Sequence, residues 1–173
     1  MICTDYPIDA LDILLDEGCV SERYFPLIGR KAPLIAALKA LGCVRKSDVE
    51  KISDRELTAL GLEDDGTVAL FRHFLTIYDR RSAKFRELDK LSLDPVRRTV
   101  YEELYYLPGV KATRAELYFL AGLTSAEAFA QTTAEAVIEG TTRAIAENHL
   151  SCIVPLPKEV RTHIAVAKAF TAK

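Results

Sequence analysis

The apolar residues of this chain recur at spacings of three and four along nearly its whole length. Nowhere do they alternate convincingly with polar ones. A period near 3.6 buries one stripe of a helix, whereas one face of a strand needs a period of two. An all-α fold is therefore predicted. Hydrophobic residues make up 49% of the 173 positions, enough for a sizeable core, so disorder is not expected.

Individual elements follow from the same spacing. Residues 8–17 form a short acidic helix. Val68, Phe71, Leu75 and Tyr78 keep one phase, and Phe85 and Leu88 continue it through "DRRSAK". No Gly or Pro interrupts residues 67–93, so one long helix from about Thr67 to Leu91 is expected, on the order of 35 Å long. Asp94 is placed to cap the next helix, with Pro95 at its first position, where the missing N–H costs nothing. Val96, Val100, Leu104 and Leu107 make its stripe, and Pro108-Gly109 ends it. A last helix begins near Pro157, with Val160, Ile164, Ala167 and Phe170 along one side.

The chain also matches itself. A shift of 80 residues lays "LIGRKAPLIAALKALG" on "LPGVKATRAELYFLAG". Leu27 meets Leu107, Gly29 meets Gly109, Lys31 meets Lys111, Ala32 meets Ala112 and Gly42 meets Gly122. The register runs on through Val49 and Phe129, Ser53 and Thr133, Leu57 and Val137. A duplicated unit is expected, built as helix, Gly break, helix, Gly cap and two short capped helices. Ser47…Glu50, Ser53…Glu56 and Thr124…Glu127 have the spacing of capping boxes. The predicted organisation is an N-terminal helical unit with a degenerate hairpin over residues 1–66, a long connecting helix over 67–93, and a C-terminal hairpin unit with its final helix over 94–173.

Charge is unevenly distributed. The net value of −2 does not favour nucleic acid in bulk, and residues 1–67 hold 8 basic against 13 acidic side chains. Residues 68–173 hold 15 against 12. Arg80, Arg81, Lys84, Arg86, Lys90, Arg97 and Arg98 fall within 19 positions, a cluster suited either to phosphate or to a solvated helix face. No basic n-region precedes an apolar run at the N-terminus, and no run approaches the ~18 apolar residues of a membrane span. A soluble, cytoplasmic chain without a membrane partner is expected. Cys3, Cys19, Cys43 and Cys152 lack Cys-x-x-Cys spacing and are expected to be reduced and mostly buried. His149-x-x-Cys152 is the sole metal-like spacing and has no second pair, so no metal site is expected. No nucleotide loop, nucleophile elbow or zincin motif is present. Neither an enzymatic activity nor a cofactor is expected, with His73, His149 and His163 as packed or surface residues.

Residues 104–120, "LYYLPGVKATRAELYFL", resemble the helix-hairpin-helix motif of DNA-binding proteins, in a tandem and divergent form. Leu107, Pro108, Gly109, Val110 and Ala115 carry the resemblance, and "LAGLTSAEAFAQTTAEAVI" looks like the usual continuation. It is good over about residues 96–147 and weaker over 21–60, where Leu27, Gly29 and Ala32 carry it. The resemblance implies a turn whose backbone N–H groups, with the positive end of the next helix, cradle a phosphate without reading bases. The residues implied are Gly109, Val110, Lys111 and Arg114, with Gly29 and Lys31 in the first copy. The family's second glycine is replaced by Lys111, and by Lys31 in the first copy. Three readings follow: a turn of another shape, a lysine that meets the phosphate as a point charge, or a hairpin kept for packing. Relatives that are DNA glycosylases need an Asp downstream of the hairpin, and none occurs after Asp94. The functional expectation is a module that binds DNA nonspecifically, the alternative a helical adaptor for another protein.

Overall fold

A computed structural model describes residues 2–172, and the described residues are helical with no strand. None of these helices is long and apolar enough to cross a membrane. The chain divides into two compact units, Cys3–Asp79 and Arg80–Thr171.

The N-terminal unit begins with an isolated antiparallel bridge between Pro7 and Arg45. The Ile8 N–H donates to the Val44 carbonyl at 2.9 Å, and the Lys46 N–H to the Tyr6 carbonyl at 3.0 Å. Helices α1 (Leu11–Leu14), α2 (Phe25–Ile28), α3 (Lys31–Ala40), α4 (Lys46–Val49), α5 (Asp54–Leu57) and α6 (Asp65–Leu75) follow. Leu11, Leu27, Leu38, Val49, Leu57 and Phe71 are fully buried and supply its core. Ser53 and Glu56 form the expected capping box, the Glu56 N–H donating to Ser53 Oγ and the Ser53 N–H to Glu56 Oε2. Ser47 does not cap. It lies inside α4 and donates to Asp5, while Asp48 accepts from the Val44 and Arg45 N–H groups.

The long helix expected from Thr67 to Leu91 is two helices. α6 stops at Leu75, and α7 spans Ala83–Asp89. After Thr76 the backbone tightens, with the Asp79 N–H donating to the Thr76 carbonyl, and Ser82 then turns extended to start α7. The apolar phase survives the break because its two halves serve different cores: Phe71 and Leu75 bury in the first unit, Phe85 and Leu88 in the second. The neighbours Asp79 and Arg80 separate in the same way. Asp79 pairs with Lys46 at 3.1 Å, whereas Arg80 pairs with Asp89 at 2.7 Å. The unit boundary thus falls inside the segment expected to connect.

The C-terminal unit comprises α7, α8 (Pro95–Leu104), α9 (Ala112–Leu120), α10 (Ala126–Gln131), α11 (Ala134–Asn148) and α12 (Pro157–Thr171). Asp94 caps α8 as expected, accepting the Arg97 N–H at 3.0 Å, with Pro95 at the first position. Val96, expected in the stripe, is 64% exposed, and Tyr101 is buried instead. Ser125, one residue after the expected Thr124, caps α10. α12 lies against α10 and α11, burying Val160, Val166, Ala167 and Phe170.

Three helix starts recur at offsets of 80 or 81 residues. α3, α4 and α5 start at residues 31, 46 and 54, and α9, α10 and α11 at residues 112, 126 and 134. Gly42 at φ +84° and Gly122 at φ +81° close α3 and α9 in the same manner. In each, the following N–H (Cys43, Leu123) returns to the carbonyl five residues back (Leu38, Tyr118), the Schellman arrangement that a left-handed residue permits.

Candidate functional site

The stretch from Leu107 to Arg114 is a tight turn entering a nine-residue helix. The Val110 N–H closes onto the Leu107 carbonyl at 3.2 Å. Pro108 therefore sits at the second position of a β-turn and Gly109 at the third, with φ +71°. A type II turn favours proline at the second and requires positive φ at the third. No atom lies within 4 Å of where a Cβ on Gly109 would be, so the backbone angle selects glycine there, not crowding. Lys111, where the sequence resemblance implied a second glycine, is extended at φ −128° and precedes α9 as its N-cap. The turn needs a single left-handed residue, and Gly109 supplies it.

Val110 and Leu107 are fully buried and anchor the turn from inside. Beneath it lie two polar side chains. Lys84 Nζ donates to the Leu107 carbonyl at 2.7 Å. His163 Nε2 lies 2.7 Å from the Pro108 carbonyl, and its Nδ1 lies 2.8 Å from the Tyr118 hydroxyl. A carbonyl only accepts, so Nε2 carries the proton. Burial lowers the pKa of His163 and favours the neutral ring, whose Nδ1 then accepts from Tyr118. Burial, followed by repulsion from Lys111, holds the Lys84 ammonium down to about 7. Two consecutive carbonyls are thereby tied inward.

On the outer side, the Lys111 side chain is 66% exposed and its ammonium approaches Glu87 at 3.2 Å. Thr113 is exposed. Arg114 is committed elsewhere: it donates to the Ile153 carbonyl at 2.9 Å and pairs with Glu159 at 3.0 Å. That strut fastens the segment before α12 to α9. A pocket of about 370 Å³ lies between them, lined by Gly109, Lys111, Thr113, Arg114, Ile153 and Glu159, with Cys152 beside them.

The N-terminal counterpart is built differently. Gly29 is helical at φ −66° and closes α2. Lys31 donates to the Asp12 and Leu15 carbonyls at 2.6 and 3.1 Å, and its side chain is only 20% exposed. Its charge caps the C-terminal end of α1, where free carbonyls attract a cation. Gly29 and Lys31 therefore form neither a left-handed turn nor an outward-facing cation.

The basic cluster is mostly engaged within its own unit. Arg97 meets Glu116 and Asp94, Arg98 donates to the Leu88 and Leu91 carbonyls, and Lys84 is the half-buried support already described. Arg81, Arg86 and Lys90 are exposed. His149 takes a left-handed conformation at φ 51° and ends α11. Among the described residues no three His, Cys, Asp or Glu side chains converge as metal ligands. The cysteines were expected to be mostly buried, but of the four only Cys43 is, and none is in a disulfide. Sequence reasoning missed the roles of Lys84, Tyr118 and His163. One signal was available for His163, which lies three residues after Val160 on the apolar stripe of α12.

Comparison with protein-family models, with curated proteins and with solved structures finds no match to this chain.

Proposed function

We propose that the C-terminal unit is a non-enzymatic module that holds a backbone phosphate of nucleic acid at the 107–114 hairpin, without reading bases. The observation that carries this reading is Lys111: an exposed cation at the N-terminus of α9, directly after a turn whose carbonyls are tied inward. Helix N-termini favour anions, and a lysine adds a point charge. The Lys111–Glu87 pair is an exposed one, worth about 0–1 kcal/mol, so an arriving phosphate displaces Glu87 at little cost. In this reading the two units descend from one duplicated hairpin unit, as the common helix starts and Schellman closures suggest, and only the second copy keeps the anion-facing turn.

The test is a titration of fluorescent duplex and single-stranded DNA at ~50 mM salt, where nonspecific affinity is greatest. Binding should be indifferent to sequence. Lys111→Glu should weaken it about equally for all sequences and reduce the log–log salt slope by roughly 0.9 for each phosphate that is no longer neutralised. No binding of the wild type at that salt would remove the proposal. A second reading, a protein adaptor, draws on Ile153 and Leu156, which are 74% and 66% exposed beside the hairpin. It predicts no DNA binding in the same titration.

A further inference from the structure

Six exposed cations of the C-terminal unit meet no carboxylate among the described residues: Arg81, Arg86 and Lys90 at α7, and Lys158, Arg161 and Lys168 on α12. Every other described cation of that unit is held by an acid or a carbonyl, as Arg80 is by Asp89 at 2.7 Å. The α7 group forms a row. Arg86 Nη1 donates to the Arg81 carbonyl at 3.1 Å, which sets the two residues side by side. Lys90 follows Arg86 by four residues, one turn on and about 6 Å along the axis. A helix advances about 100° per residue. Lys90 and Arg86 therefore lie to one side of Glu87, and Lys84 and the buried Leu88 lie to the other. The two acids of α7 flank the row and are already neutralised, Glu87 by Lys111 at 3.2 Å and Asp89 by Arg80. The Glu87 contact also places the row beside the hairpin.

We infer that Arg81, Arg86 and Lys90 form a second docking surface, for the sugar–phosphate backbone of duplex nucleic acid, continuous with the hairpin across the Lys111–Glu87 contact. The inference rests on the phosphate reading above for its partner, but it stands on different residues. Unpaired cations in a row neutralise neighbouring phosphates and release counterions whatever the bases are. The interval from Arg86 to Lys90, about 6 Å, is of the order of the step between phosphates along one strand. Lipid is the poorer partner. A helix that lies in a membrane surface turns large apolar residues outward, whereas Phe85 and Leu88 are buried and no large apolar side chain of α7 is exposed. A single strand is also disfavoured, because its bases stack on exposed aromatic rings. The exposed large apolar residues of this unit are Val96, Ile153 and Leu156, none of them aromatic. Among the described residues no ion pair ties the α12 cations to the hairpin, so they serve as a control of equal charge.

The experiment titrates a fluorescent DNA duplex of about 20 base pairs at salt concentrations from about 50 to about 200 mM. It compares the wild type with two triple variants of the full chain: Arg81→Gln with Arg86→Gln and Lys90→Gln, and Lys158→Gln with Arg161→Gln and Lys168→Gln. The α7 variant should lower the log–log salt slope by roughly 2.7, about 0.9 for each of three phosphates, so the wild type should lose roughly 40-fold more affinity over that range than the variant. The α12 variant should keep the wild-type slope. All six residues are exposed, so both variants should keep the wild-type circular dichroism. If the α7 variant fails to fold, Lys90→Gln alone should lower the slope by roughly 0.9. An unchanged slope in the folded α7 variant, or equal losses in the α7 and α12 variants, overturns the surface and leaves the hairpin reading to Lys111→Glu. A loss in the α7 variant with Lys111→Glu unaffected overturns the hairpin reading and keeps the surface. Tighter binding to a single strand of the same length overturns the duplex assignment. Binding to phosphatidylcholine vesicles containing about a third phosphatidylserine, with none to duplex, overturns it in favour of lipid. No binding to duplex at the lowest salt overturns both the reading and the surface.

Discussion

Alanine at Gly109 and alanine at Gly29 should shift stability in opposite directions, although the two glycines occupy the same place in the 80-residue register. At Gly109 the native φ is +71°, and a Cβ would meet nothing within 4 Å. The whole cost is therefore the backbone one. A side chain at left-handed φ costs roughly 1–2 kcal/mol, partly offset by the smaller unfolded-state entropy of alanine, roughly 0.4–1 kcal/mol. A net loss of about 0–1.6 kcal/mol results. At Gly29 the φ is −66° and the space is equally open. Only the entropic term remains, so Gly29→Ala should stabilise by about 0.4–1 kcal/mol. Urea unfolding would measure both, read separately for each unit by probes in Cys3–Asp79 and Arg80–Thr171. Thermal midpoints of the separate units should move by about 4–8 °C per kcal/mol. Equal losses at both positions would mean that Gly29 also adopts a left-handed turn, and the difference between the two glycines would fall.

The buried ring, the interhelix break and the aromatic core each set a further expectation. The chain should lose stability as pH falls below about 6.5, because the unfolded state then binds a proton that the buried, neutral His163 resists; His163→Gln should weaken that pH dependence in melts between about pH 5 and pH 8 while keeping a donor to the Pro108 carbonyl, and an unchanged profile would refute the assignment. Trypsin should cut early at the exposed Arg81, between α6 and α7; resistance there equal to that of mid-helix sites would favour the continuous helix. Phe129, fully buried and edge-on to Tyr118 at 4.8 Å, should cost about 3–5 kcal/mol as alanine and unfold the C-terminal unit first, as seen by circular dichroism with urea.

What the sequence determined by itself was local. Asp94 and Pro95 set a helix start because one carboxylate reaches the backbone three residues on and proline needs no donor, and neither depends on distant residues. Ser53 with Glu56, and the glycines at 42 and 122, acted over the same short range. Helical periodicity determined the class, since an apolar stripe must be buried somewhere. Periodicity does not say in which core. Tyr78 and Phe85 keep one phase across a break because each half answers to its own unit, and that decision is tertiary. Lys31 and Lys111 are identical residues in identical register, yet one meets the carbonyls ending α1 and the other meets solvent and Glu87. Their difference comes from what packs beside them: α1 in one unit, α7 in the other. Lys84 reads as one more surface cation in a basic run. Its half-buried place under Leu107 arises only when α7, α9 and α12 close around the turn, because a lysine's environment is set by neighbours that no local pattern names.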